Sequence, residues 1–161
     1  MRVLGIDPGT RTVGFGVLDH AAGRFRAVTY GAIRVSNSKS RPMRYREIYE
    51  GLVEVITESE PDVVSIENVF CGKSPKSAIR IGEGRGLALL AAATRDLPVH
   101  EYDATVVKKA VVGTGRGSKE QVQALVRSLL GLSEIPKPHD AADALAIAIC
   151  HCHRERIPAL R

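Results

Sequence analysis

The stretch Val3-Leu4-Gly5-Ile6-Asp7-Pro8-Gly9 decides the fold. Its short apolar run reads as a buried strand, and Pro8-Gly9 turns the chain as soon as Asp7 has closed it. The same pattern returns in Val63-Val64-Ser65-Ile66-Glu67, while Asp140 and Asp143 open a third apolar stretch, Ala144 to Cys150. Acids gathered at the ends of core elements are costly to bury unless cations neutralise them. The repetition points to a metal-dependent phosphoryl-transfer site.

Working outward from the first run, residues 2–7, 12–19 and 25–35 read as three strands joined by turns at Gly9 and at Ala21-Ala22-Gly23. Tyr45, Ile48, Leu52, Val55 and Ile56 then fall on one helical face, and Pro61-Asp62 ends that helix before the strand leading to Glu67. Ser74-Pro75 opens a helix to about Asp96 that contains Gly82, Gly84 and Gly86. Interior glycine costs a helix roughly 1 kcal/mol relative to alanine, so close approach of another backbone is expected there, with a second subunit as the candidate. Pro98 to Tyr102 is a fifth strand. Ser118 and Gln121 form a capping box ahead of the stripe Val122, Leu125, Val126, Leu129, Leu130, which Gly131 ends. The last helix, after Pro138, is apolar almost all round and therefore buried. Hairpin-connected strands followed by crossovers predict an α/β fold. Its mixed five-stranded sheet has three antiparallel strands, then parallel crossovers, with helices on both faces. Residues 1–155 are expected to form a single domain and 156–161 a short tail.

The 161 residues suffice for one core, and 44% are apolar. Lys and Arg number 23 against 18 acids, a formal charge of +5, so a surface around an acidic pocket is basic and suits a polyanionic partner. Cys71, Cys150 and Cys152 suggest no disulfide framework, which fits a reducing cytoplasm. Asp7 interrupts the N-terminal apolar run too early for a signal peptide, and no run approaches the ~18 residues of a membrane span. A cytoplasmic protein is expected.

Two divalent ions about 4 Å apart can clamp a scissile phosphate, one activating water and the other holding the leaving oxygen. Hard oxygen ligands suit Mg²⁺, with Mn²⁺ as a substitute. Asp7, Glu67, Asp140 and Asp143 could supply them, the last two being three apart on one helical face. Taken singly, an acid in a first helical turn is as readily a cap, and Asp7 a turn residue. Two basic groups follow: Lys73, Lys76, Arg80 and Arg85, then Lys108, Lys109, Arg116 and Lys119 around Gly113-Thr114-Gly115-Arg116-Gly117. Glycines among cations suit phosphate contacts, although any one such cation is more often a solvated surface residue. Cys150-His151-Cys152-His153 does not read as a zinc site, because consecutive helical residues point in different directions and no second Cys or His pair accompanies them.

Ile6-Asp7-Pro8-Gly9, Ile66-Glu67-Asn68-Val69-Phe70 and Asp140-Ala141-Ala142-Asp143-Ala144-Leu145-Ala146-Ile147-Ala148 together resemble the RuvC family of Holliday junction resolvases, in order and over essentially the whole chain. The resemblance implies a ribonuclease-H-like fold. It also implies a homodimeric, metal-dependent endodeoxyribonuclease that nicks two symmetric strands of a four-way junction in recombination and repair, leaving 5′-phosphate and 3′-hydroxyl ends. Asp7, Glu67, Asp140 and Asp143 fall on the family's four catalytic, metal-binding acids, and Asp7 is the expected bridging ligand. Some members carry His in the last motif; here His139 precedes Asp140 and shares a face with Asp143, so Asp140 is the favoured ligand and His139 an additional or alternative one. Phe70 is implied as a base-stacking wedge rather than a core residue, and Lys108 and Lys119 as the foremost DNA contacts. A branch-migration motor of the RuvA–RuvB type is the implied partner. Two rivals fit less well. Asp7-Pro8-Gly9-Thr10 with Gly14 and Gly16 resembles the phosphate hairpin of actin-like and sugar kinases, but that fold needs two such domains. The related nucleases that trim ribosomal RNA precursors are shorter and lack the Ile-Glu-Asn-Val-Phe pattern. A binding-only junction protein is disfavoured by the intact acids.

Overall fold

The computed structural model describes residues 1–68 and 74–155. Five strands, β1 (Arg2–Asp7), β2 (Thr12–Ala21), β3 (Arg24–Arg34), β4 (Val63–Asn68) and β5 (Val99–Asp103), form one sheet in the order β3-β2-β1-β4-β5. The first three pair antiparallel, whereas β4 and β5 run parallel to β1, as the sequence predicts. Ala22 and Gly23, both at positive φ, make the β2–β3 hairpin turn.

Strand alternation assigns the two faces. Leu4, Ile6, Val13, Val17, Val64 and Ile66 point to one side, where α1 (Arg41–Ser59) contributes Ile48, Leu52 and Ile56 and α2 (Pro75–Ala93) contributes Ala88, Ala91 and Ala92. Val3, Leu18 and Val63 point to the other, under α3 (Ala104–Val112), α4 (Lys119–Leu129) and α5 (His139–Glu155). The capping box of α4 forms as expected, with Ser118 accepting from the Gln121 N–H and the Gln121 side chain accepting from the Ser118 N–H. Two differences from the sequence reading stand out. Helix α3 was not expected, and it takes Lys108 and Lys109 out of a loop and onto a helix. The close approach expected of the α2 glycines is met within the chain by Gly84, where an added Cβ would lie 2.7 Å from the Gly9 carbonyl oxygen. Gly82 and Gly86 face open space.

Helix α5 is seated by glycines. Added Cβ atoms would fall 2.0 Å from the Ala144 carbonyl oxygen at Gly5, 2.1 Å from the Asp140 carbonyl oxygen at Gly14, and 2.6 Å from the Leu145 Cγ at Gly16. Real Cβ atoms do not approach so closely, and the alanines of α5 (Ala141, Ala142, Ala144, Ala146 and Ala148, all buried) complete the fit. Gly14→Ala should therefore push the first turn of α5 off the sheet and cost at least 1–3 kcal/mol. Gly82→Ala, with room for its methyl, should stabilise by up to about 1 kcal/mol. Equal thermal midpoints for the two variants would contradict this seating.

Candidate active site

Asp7 and Glu67 follow from the same alternation. Val3 and Gly5 lie under α5, so Asp7, the next residue of that parity, points to the α5 side; in β4, Val63, Ser65 and Glu67 do likewise. The parallel register Ile6↔Ile66 sets the two acids side by side at the C-terminal ends of adjacent central strands. Asp7 is also paired with Gly14, and Gly14 is the residue against which Asp140 packs. One turn along α5, Asp143 lines a cleft with Glu67, Lys108, Lys119, Ala104, Val107 and Val122. All four acids are half-buried.

Their proximity has a price in protonation. Burial first, then the charges of Glu67, Asp143 and Asp140, pushes Asp7 up to about 7, with Lys119 opposing. Burial and Asp143 likewise raise Glu67, opposed by Lys108 and Lys119. Lys119 Nζ lies 2.7 Å from Asp143 Oδ2, and that hydrogen bond raises the lysine above its ordinary value. Two cations from α3 and α4 thus neutralise part of a cluster that is otherwise self-repelling. Lys108 and Lys119, read from sequence as DNA contacts, stand against the acids themselves.

The remaining candidates separate from this cluster. His139 lines a different groove with Ala32, Arg34, Lys137 and Pro138. Lys76 and Arg80 line a groove with Thr10, Arg11, Arg41, Arg44, Tyr45 and Glu83 on the α1–α2 side, where Arg41, Tyr45 and Glu83 are linked. Arg11, Arg41 and Arg44 were not singled out from sequence; only the tertiary approach of α1 to α2 and the β1–β2 turn shows that they converge. Arg85 is paired with Glu101. Lys109 and Arg116 are exposed. Phe70 and Lys73 lie outside the described residues. The sequence reading also missed His100, which the fold places against His151 with ring centroids 4.7 Å apart.

A mixed sheet of this order with acids at its central strand ends defines the ribonuclease-H-like nuclease class. The relatives narrow it. A family model described as crossover junction endodeoxyribonuclease RuvC matches residues 3–151. A protein of that name from Caldanaerobacter subterraneus subsp. tengcongensis is 49% identical over 95% of this chain and 93% of its own. Another from Citrifermentans bemidjiense is 48% identical over 99% and 97%. Among solved structures, Thermus thermophilus RuvC in complex with a Holliday junction substrate superposes with a TM-score of 0.92 at 35% identity, covering 97% of this chain and 95% of that one. The chain belongs to the crossover junction endodeoxyribonuclease RuvC family.

The raised Asp7 pKa has a measurable consequence. Because folded Asp7 holds its proton more tightly than the unfolded side chain, its contribution to stability is full below about pH 4 and is lost as pH rises to about 7. In metal-free buffer Asp7→Asn should remove that loss and exceed the wild type in stability at pH 8 by roughly 2–4 kcal/mol. Denaturant titrations at pH 5 and pH 8 check this: a wild-type-to-variant difference that does not grow with pH contradicts the clustering.

Proposed function

We propose that this protein is an endodeoxyribonuclease that resolves four-way DNA junctions by paired symmetric nicks, leaving 5′-phosphate and 3′-hydroxyl ends. The observation that carries the reading is the carboxylate cluster at the ends of β1 and β4 and the start of α5, where burial and then mutual repulsion lift Asp7 to about 7. An all-oxygen donor set that repels itself fits hard divalent cations, Mg²⁺ or Mn²⁺. Asp7, which feels the charges of the other three acids, would hold the ions together with Glu67, Asp140 and Asp143. Bound divalent cations supply Lewis acidity to the scissile phosphate and to the attacking water.

The chain's own residues prepare the rest. Lys119 and Lys108 hold the acids' charge partly balanced and would meet DNA phosphates near the cut once cations take over that balance. The apolar wall of Ala104, Val107 and Val122 limits water around the reacting group. The groove of Arg11, Arg41, Arg44, Lys76 and Arg80 would supply a second phosphate-binding surface, and there the Arg44 Nε is buried without a hydrogen-bond partner among the described residues. Residues 1–155 form the nuclease domain in this reading, and it works in the cytoplasm beside a branch-migration motor. No helix among the described residues is long and apolar enough to cross a membrane.

Paired nicking needs two copies. Ile79, Gly82, Gly86 and Leu90 recur at helical spacing along α2; Ile79 is 63% and Leu90 51% exposed, and neither glycine has a neighbour. This open apolar stripe is the face on which a second copy would pack.

A synthetic mobile junction with two labelled arms tests both parts. Asp7→Asn, Glu67→Gln, Asp140→Asn and Asp143→Asn should each lower metal-dependent cleavage by about 10²-fold or more while binding persists, because the phosphate contacts lie elsewhere. Gly86→Leu should leave single nicks but uncouple the pair, with a matching loss of dimer in sedimentation. Near-normal cutting by Asp7→Asn would sink the metal-site assignment, and an unchanged dimer with Gly86→Leu would move the interface off α2.

A further inference from the structure

The C-terminal half of α5 carries a second constellation of ligating groups, remote from the acids. His151 lies eight residues after Asp143, about 12 Å further along the helix. Its ring is 1% exposed, and its Nε2 has no hydrogen-bond partner among the described residues. Such a buried, unsatisfied nitrogen requires an explanation. Around it stand His100 of β5 and Glu155, one turn on along α5. Their ligand atoms all lie within 4.8 Å of one another, and His151 Nε2 is 3.9 Å from Glu155 Oε1. On its other side, His151 Nδ1 is 2.7 Å from the Tyr102 hydroxyl.

We propose that His100, His151 and Glu155 form a binding site for a transition-metal ion of the zinc class, with solvent in the fourth position. The geometry of the histidine favours it. In the tautomer whose Nδ1–H donates to the Tyr102 oxygen, the Nε2 lone pair is free to meet a cation held with His100 and Glu155, the arrangement in which ligating imidazoles are normally held by an outer partner. Two imidazoles and one carboxylate select zinc-like ions over Mg²⁺ or Ca²⁺. Bonds of about 2.0–2.2 Å in tetrahedral geometry put ligand atoms roughly 3.3–3.6 Å apart. The observed spacings, 3.9 Å between His151 and Glu155 and up to 4.8 Å within the set, are somewhat wider, and His100 and Glu155, both exposed, have the side-chain freedom to close them. The adjacent Cys150 and Cys152 are buried in the α3–α4–α5 core and are not part of this set.

The site would clip the end of the central helix to β5, the edge strand of the sheet. Binding to the folded chain alone then adds stability by mass action. This inference is independent of the nuclease reading, since it needs neither DNA nor the acids.

Thermal melting of the full chain in chelator-stripped, Mg²⁺-free buffer, with and without ZnCl₂, tests it. The wild-type midpoint should rise with zinc. Because His100 and Glu155 are exposed, His100→Ala and Glu155→Gln should fold normally, yet bind zinc at least about tenfold more weakly. Asp7→Asn, with the acid cluster impaired, should still rise with zinc, and adding His100→Ala should remove that rise. An unshifted wild type, or equal shifts in wild type and His100→Ala, overturns the site. So does loss of the shift in Asp7→Asn, which would place the zinc among the acids. Cobalt substitution should give the visible bands of a nitrogen–oxygen site; a thiolate charge-transfer band would assign the metal to cysteine instead.

Discussion

The contact between the backbone of α5 and three glycines of the sheet is the constraint from which the rest follows. Because Gly5, Gly14 and Gly16 present no side chain, α5 sinks onto β1 and β2 until the Ala144 and Asp140 carbonyls and Leu145 fill the space their side chains would take. That depth brings Asp140 and Asp143, in the first two turns of the helix, down to the row where β1 and β4 deliver Asp7 and Glu67. Helix α5 spends its small residues on this fit: its alanines replace the larger side chains that a helix buried on nearly every side would ordinarily use.

Once the acids are together, electrostatics sets the chemistry. Desolvation and mutual repulsion act in the same direction on Asp7, and the nearby lysines offset only part of the effect. The result is a cluster poised to exchange protons and lysine contacts for divalent cations. In the proposed reading, the basic groove on the α1–α2 face would draw a polyanion to the surface and the lysines beside the acids would meet it where it is cut.

Much of this was legible in the chain because it is written in short-range patterns. An acid that closes an apolar run must sit at a strand end, and the parity of Val3-Gly5-Asp7 and Val63-Ser65-Glu67 fixes which face it occupies. Helix α3 escaped notice because it is short and rich in β-branched residues: Val106, Val107, Val111 and Val112 flank two lysines without a clean helical stripe. Its only local marks are Asp103 at the N-cap and Gly113 at positive φ after the last turn. Contacts made by tertiary approach left no trace at all. Nothing in Val99-His100-Glu101-Tyr102 announces that His100 will meet His151, and nothing near Gly84 announces that it packs on the turn at Gly9.

The central claim is that the four carboxylates form one cation-demanding unit, and proton release on metal binding tests it most directly. Calorimetric titration of the free protein with Mn²⁺ at pH 7, in buffers of different ionisation enthalpy, counts the protons expelled. With Asp7 titrating at about 7, binding should release about half a proton from that residue at pH 7 and almost none at pH 9. Asp7→Asn should abolish the Asp7 share. Binding with no proton release at pH 7, or with the same release in Asp7→Asn, would contradict the account.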